Sequence, residues 1–339
     1  MGATQKLIAE RLGISRSLVS RALNGSAAEI RANPATVARI RTEANRLAYR
    51  PSAAALALRG GATRTIGVLV KDFADPFFGR MLAELDRLAR RSGFSLVMSG
   101  VEHGRRAGDE SALLAQYRPD GLLLVGSDFL PDEVARYADR GVAVVRLGSG
   151  RAASGIAQVA MDEVAGMLLL VDHLAALGHS RFGYLAAGHS RCRHRLAALD
   201  TALARAGLGA ALAARREAWT APAWIDRLAR DQALPTVWVA FDDLAAIRAL
   251  HAWRDAGVDV PGRVSIAGVD DIAAAELITP ALTTLRQPVH ALVRAAFRML
   301  VEPAPATGQW IVPELVARAS CAPCRRETTQ LPRSGSWAC

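Results

Sequence analysis

From Thr65 onward, apolar runs of strand length alternate with longer stretches whose apolar residues recur every three or four positions. The runs are TIGVLV, SLVMS, GLLLVG, VAVVRL, RFGYLAA, TVWVAF and VSIAGV, and the helical stretches fall at 76–92, 132–140, 163–177, 195–206, 244–256 and 289–302. Apolar strands alternating with helices predict a parallel sheet covered on both faces. Six or more such units divide more naturally between two lobes than along one sheet. Ligands of such folds sit beyond the carboxyl ends of the strands. Those ends carry Asp72 after TIGVLVK, Asp162 after VAM, Asp242-Asp243 after VWVAF and Asp270-Asp271 after VSIAGV.

The first fifty residues have the helical period alone. In TQKLIAERL, Ile8 and Leu12 share a face with Ala9 beside them. Gly13 tolerates a tight turn, and the Ser15 hydroxyl can cap a second helix over 16–23. There Leu18, Val19, Ala22 and Leu23 turn inward, leaving Arg16, Ser17, Ser20 and Arg21 outside. Asn24-Gly25 signals a turn. A third helix starts at Pro34, after Asn33, and buries Val37, Ile40, Ala44 and Leu47. Three short helices with a polar, basic second helix suit docking in a major groove, with arginine reading guanine edges. The same pattern also suits an ordinary solvated helix face.

Charge separates this head from the rest. Residues 1–64 hold eleven Lys/Arg and three carboxylates, so the head carries most of the formal net charge of +10, while the long central stretch is close to neutral. A small basic head on a neutral body points to a polyanion-binding module joined to a unit with another task.

The segment IAERLGISRSLVSRALNG resembles the DNA-binding head of the LacI family of bacterial transcription regulators. The resemblance assigns Arg16, Ser17 and Arg21 to base reading and Ser15 and Ser20 to positions near phosphates, with Asn24 and Tyr49 also on the DNA side. It makes Pro51–Arg59 a hinge helix, in which Leu58 is the wedge entering the minor groove and Arg59 follows it. Composition alone would equally allow an alanine-rich linker here. Two features depart from the family: Leu7 replaces an Asp, and SAAEIRANPAT is about three residues longer than usual.

The likeness extends over 4–320 through TRTIGVLVKDFADPFF, ALGHSRFGYLAA, RLAALDTALARAGL, VPGRVSIAGVDDI and TPALTTLRQP. It implies a body of the type I periplasmic-binding-protein fold with a small-molecule effector between its lobes. Phe77 and Phe78 would form an apolar wall, Arg195 the main polar anchor, and Asp270 an acceptor, with Asp72, Asp162, Phe241 and Asp242 completing the pocket. Phe241 stands where the family commonly has Asn, and Val269 replaces an aromatic. The arginines 191, 193 and 195 hint at a hydroxyl-rich or anionic ligand, such as a sugar or sugar acid.

The fold class expected is an all-α helix–turn–helix head plus an α/β, two-lobed, periplasmic-binding-protein-like body. The head spans 1–50, hinge and linker 51–63, and the body 64–320; lobe one covers 64–158 and 288–310, lobe two 159–287 and 311–320. The tail 321–339 has Pro, Gly, Ser and charge without leucine heptads, and is expected to be disordered and to leave a homodimer. The expected function is a transcriptional repressor whose grip on double-stranded operator DNA is set by the effector; a solute-binding protein without a DNA target is the alternative. MGATQKLIAERLG lacks the apolar stretch of a signal peptide, and no apolar run reaches the roughly 18–20 residues of a membrane span. A cytosolic protein with free thiols and no membrane partner is therefore expected. GxxxxGK[ST], GxSxG and HExxH are missing, so no enzyme activity and no cofactor are expected. His189, Cys192 and His194 want a fourth metal ligand, Cys321-x-x-Cys324 is half a zinc pattern, and no metal is expected.

Overall fold

The computed structural model describes residues 4–24, 32–49, 62–100, 114–126, 137–149, 155–186, 193–209, 212–216, 225, 234–302 and 308–324. The chain divides into two units, Met1–Thr63 and Arg64–Cys339.

In the first unit, Thr4 starts helix α1 (Gln5–Leu12) by accepting from Leu7 N at 3.2 Å. Gly13, at φ 64°, ends it in a left-handed conformation that a side chain would disfavour. Ser15 Oγ accepts from Leu18 N at 3.2 Å and opens α2 (Arg16–Asn24). Asn33 caps α3 (Pro34–Arg46) through Ala35 N at 2.9 Å, with Pro34 in its first turn. Ile8, Ala9, Val19, Ala22, Ile40 and Ala44 meet in one buried core, ringed by Leu12, Ile14, Leu18, Leu23, Val37, Leu47 and Tyr49. The second helix runs through Asn24, one residue past its expected end at Leu23. Residues 51–61, including Leu58 and Arg59, lie outside the described residues, as does nearly all of the longer segment before Asn33.

The second unit contains two six-stranded sheets. Strands β1 (Thr65–Val70), β2 (Ser95–Gly100), β3 (Gly121–Val125), β4 (Ala143–Leu147) and β5 (Ala157–Met161) build the first, and β6 (Phe182–Leu185), β7 (Leu212–Arg216), β8 (Val237–Ala240), β9 (Ser265–Val269) and β10 (Thr283–Arg286) the second. Strand β11 (Gly308–Ile311) returns to the first sheet and β12 (Glu314–Val316) to the second. The orders are β11-β5-β4-β3-β1-β2 and β12-β10-β9-β8-β6-β7. All pairings are parallel except that of β10 with β12.

Helices α4 (Pro76–Arg91) and α9 (Val289–Val301) pack on one face of the first sheet around Val68, Met81, Leu85, Val145 and Phe297. On the second sheet, α5 (Glu163–Ala176) and α6 (Arg193–Arg205) cover one face around Leu170, Tyr184 and Leu199. Helix α7 (Asp243–Asp255) covers the other, where Trp238 and Trp253 meet edge to face at 6.2 Å. The short α8 (Ala273–Leu277) follows β9.

The seven apolar runs all become strands. Strands β7, β10, β11 and β12 were not expected, and β5 only as the short VAM before Asp162: each carries polar or charged residues, and β7, β11 and β12 lie at sheet edges. Strand β5 keeps the chain in lobe one through Met161 rather than 158, because it completes the first sheet beside β4. Cys321 to Cys324 extend lobe two past the expected boundary at 320. Cys321 Sγ donates to Ile266 O, Ala322 N to Ser265 Oγ at 3.2 Å and Cys324 N to Leu177 O at 2.7 Å. The expected helix at 132–140 and the rest of the tail, 325–339, fall wholly or largely outside the described residues. Among the described residues, no helix is long and apolar enough to cross a membrane.

Ile40 fills the middle of the head core. Ile40→Ala should cost about 2–5 kcal/mol, most of what so small a core supplies. Amide hydrogen exchange at Val19 and Ile8 should become fast while exchange in β1 and β9 stays slow.

Candidate functional site

The carboxyl ends of both sheets open onto one cleft of about 320 Å³. Lobe one contributes Lys71, Asp72 and Asp75 after β1, Phe77, Phe78 and Met81 from the start of α4, and Leu147, Gly148 and Ser149 at the end of β4. Lobe two contributes His194 and Arg195 from α6, Phe241 and Asp242 after β8, Arg248 from α7 and Asp270 after β9. Gln287 enters from the crossing between β10 and α9. The rings of Phe77 and Phe78 are 5.6 Å apart and tilted by 56°. Met81 and Leu244 extend their apolar wall.

Helix capping fixes several of these side chains. Asp75 accepts from Phe77 N at 2.9 Å, and Asp242 from Ala245 N at 2.6 Å. Each carboxylate offsets the exposed N–H groups of its helix and is thereby anchored at the cleft. Asp162 caps α5 in the same way, through Ala165 N at 3.0 Å, but is not among the cleft-lining residues. The sequence placed it in the pocket because it follows a strand; its role in the structure is to start a helix.

Its neighbour Glu163 has a part that the sequence reading missed. Glu163 takes both Nε (2.9 Å) and Nη2 (3.0 Å) of Arg195, while Arg195 Nη1 donates to Phe241 O. The guanidinium also lies 4.8 Å from the centre of the Phe241 ring. The planar fork of Arg195, expected to face a ligand, is thus engaged within the protein. Ser149 Oγ, from lobe one, donates to the same Glu163 at 2.6 Å, so the pair also ties the lobes together. Burial opposes the charge on Glu163. The adjacent Arg195 guanidinium and hydrogen bonds from His194, Arg195 and Ser149 prevail and bring its pKa down to about 2. No local pattern links positions 163 and 195, so periodicity could not have paired them.

Asp270 is buried at φ 117° and accepts from Gln287 Nε2 at 2.5 Å. Burial raises its pKa well above the usual carboxylate range; Arg195 works against the shift, and Asp243 and Asp242 add to it. Arg80, on α4 of lobe one, donates to the backbone carbonyl of Asp271 at 2.5 Å, directly beside this strained residue. Asp243 lies beneath the cleft and accepts from Thr284 Oγ1 (2.6 Å) and Ile272 N (2.9 Å). Its burial pushes it up to about 7.

On the head, Arg16, Ser17, Ser20 and Arg21 share one outward concavity of α2. Arg16, Ser17 and Arg21 are exposed, and Ser20 is half-buried. Ser15 spends its hydroxyl on the helix cap and lies 3.2 Å from the Ser17 hydroxyl. Tyr49 is half-buried against the head core, and its backbone N–H donates to Ala44 O at 2.9 Å. The side chain of Asn24 lies outside the described residues.

A periplasmic binding protein-like domain matches residues 171–321. The HTH-type transcriptional regulator GalR of Escherichia coli is 30% identical over 334 residues, covering 94% of this chain and 95% of that protein. The HTH-type transcriptional repressor PurR of Photobacterium profundum is 30% identical over 313 residues, covering 88% of this chain and 91% of the relative. Among solved structures, a LacI transcriptional regulator from a Rhodococcus species superposes with a TM-score of 0.68 at 28% identity, over 76% of this chain and 98% of its own. The lac repressor dimer bound to operator and the anti-inducer ONPF shares the fold, with a TM-score of 0.79 at 24% identity over 95% of this chain and 100% of that one. A helix–turn–helix head on a two-lobed α/β body defines a ligand-responsive type of DNA-binding regulator. This chain belongs to the LacI family of transcriptional regulators.

The buried pair at the cleft should show the asymmetry of such contacts. Arg195→Met leaves Glu163 buried without its main partner and should cost about 3–5 kcal/mol in urea unfolding. The double variant Arg195→Met/Glu163→Leu should recover most of that loss.

Asp243 gives a second test. Folded, it holds its proton up to about pH 7; unfolded, it releases it near the ordinary aspartate value of 3.8. The stability it contributes is therefore complete below the unfolded pKa and is lost as pH rises through about 7. Asn can accept from Ile272 N and donate to Thr284 Oγ1. The Asp243→Asn variant should thus gain on the wild type between about pH 4 and 8, as read from melting temperatures across that range.

Proposed function

We propose that this regulator is an operator-binding repressor, acting as a homodimer, whose affinity for double-stranded DNA is set by a small molecule held in the cleft. The observation that carries the reading is the division of labour in α2: Val19 and Ala22 are fully committed to the core, which frees Arg16, Ser17 and Arg21 for a groove. Arginine makes paired hydrogen bonds to guanine O6 and N7, and serine serves either base type. Ser15 and Ser20 stand near the phosphates, Leu58 serves as the minor-groove wedge and Arg59 lies beside it. Two heads related by a two-fold axis would read half-sites about one helical turn apart.

The relatives support the rest. GalR and PurR are named as transcriptional regulator and repressor, and regulators of this fold have been crystallised with cellobiose and with ribose. The cleft here draws on both lobes, so an occupant alters their relative energies. Its leverage on the DNA-binding state is limited by its preference between lobe arrangements, typically about 1–3 kcal/mol. A ligand favouring the DNA-competent arrangement acts as a corepressor, and one favouring the other acts as an inducer.

Genomic fragments retained by the full chain at about 150 mM salt should converge on one or a few palindromes. Arg21→Ala should weaken binding to them by about 1–3 kcal/mol and relax preference at one base position per half-site. Diffuse, salt-labile retention that Arg21→Ala and Leu58→Ala leave unchanged would reject sequence-specific regulation.

A further inference from the structure

Two hydrogen bonds run from lobe one to lobe two beside the cleft, each with its donor in lobe one. At the first, Arg80 Nη1 on α4 donates to the backbone carbonyl of Asp271 at 2.5 Å and lies 3.5 Å from that of Asp270. At the second, Ser149 Oγ, after β4, donates to Glu163 Oε1 at 2.6 Å. Both bonds join protein groups directly and need no bridging molecule.

In both, lobe two fixes the acceptor by its own contacts. Asp270 and Asp271 sit at φ 117° and 49°, conformations that side-chain-bearing residues keep only where their surroundings impose them. Asp270 N donates to Leu285 O at 2.8 Å, and the Asp271 carboxylate takes Arg286 Nε and Arg318 Nη2, both at 2.7 Å. These bonds lie within lobe two and aim the carbonyl that Arg80 meets. Glu163 is held likewise, by Nε and Nη2 of Arg195 at 2.9 and 3.0 Å. On lobe one, Arg146 Nη2 steadies the Ser149 segment through Ser149 O at 3.1 Å. Groups already in their bonded geometry lose little freedom when the partner arrives. Each bond also adjoins the ligand side: Ser149, Arg195 and Asp270 all line the cleft.

We propose that Arg80–Asp271 and Ser149–Glu163 are a pair of clasps that hold the lobes together by themselves, so that closure of the body does not require an effector. Only the consequence for DNA rests on the reading of this cleft as the effector site. An occupant that takes the Ser149 hydroxyl or part of the Arg195 fork competes with the second clasp and favours opening. An occupant that leaves both groups to the protein and bridges the lobes elsewhere adds to closure. Two ligands of one cleft can thus push the lobe equilibrium in opposite directions, each by its own preference between the two arrangements.

The test uses the full chain with no small molecule added. A ketone-bearing residue in place of Arg91 and of Asp255, both exposed and on different lobes, carries a nitroxide without involving the cysteines. Dilution with unlabelled chain leaves one labelled subunit per assembly. Pulsed electron spin resonance should give a single distance population for the labelled chain with both clasps intact. Arg80→Ala/Ser149→Ala should add a second population, and each single alanine variant the same one in smaller proportion. Arg80→Lys/Ser149→Thr keeps a donor at both positions, and a lone carbonyl needs only one N–H, so this variant should keep the single population. Two populations with both clasps intact, an unchanged distribution in the alanine variants, or the second population in the Lys/Thr variant overturns the proposal. Operator retention of the double alanine variant should differ from that of the parent chain by about five-fold or more. Opening without such a change upholds the clasps and rejects lobe arrangement as the control of DNA affinity.

Discussion

Three passages of the backbone between two sheets constrain everything else in the body. The chain leaves the first sheet after Met161, comes back across Gln287 and Pro288, and leaves again at Val312 and Pro313. At the first turn of α5 the passages pack tightly: a Cβ on Gly166 would lie 2.7 Å from Pro313 Cγ and 3.2 Å from Leu285 Cδ1. Residues close to these crossings also set the electrostatics of the cleft. Glu163 follows the first crossing and holds Arg195; Gln287 lies in the second and holds Asp270. The same few residues thus serve as connection, charge partner and wall.

Two buried acids near this region show how environment, more than residue type, sets ionisation. Glu163 stays charged far below the normal range because a guanidinium and three hydrogen-bond donors outweigh its burial. Asp243 has only Thr284 and Ile272 N to oppose burial and two neighbouring aspartates, and moves the other way. The stability of the body accordingly responds to strong acid through Glu163 and, through Asp243, to a rise in pH towards about 7.

The head and the central strands were legible because burial there follows a period. Ile8, Val19, Ile40 and Ala44 fall where a helical repeat puts them, and β1, β3, β8 and β9 are buried along their whole length. Strands such as GQWI and ELV escaped notice because they are short and half exposed, so alternation has little to act on. Within the cleft, Asp72, Phe77, Phe78, Phe241, Asp242 and Asp270 were visible as residues at strand ends and in family-like motifs, and the structure brings them together. Asp162 gives the same signal as Asp242 and only the three-dimensional path separates them. The pairing of Glu163 with Arg195 spans 32 positions and two helices, and a one-dimensional pattern holds no trace of it.

The partition of α2 has a consequence for how such a protein can diversify. Val19 and Ala22 are essentially inaccessible, whereas Arg16, Ser17 and Arg21 project from the same nine-residue helix into solvent. Exchanging the outer residues leaves the packing of Ile8 and Ile40 untouched, and surface changes of this kind usually move stability by less than about 0.5 kcal/mol. Recognition can therefore drift from one target sequence to another along a path on which every intermediate still folds. A lineage can acquire new targets after gene duplication without first having to find compensating changes in its core.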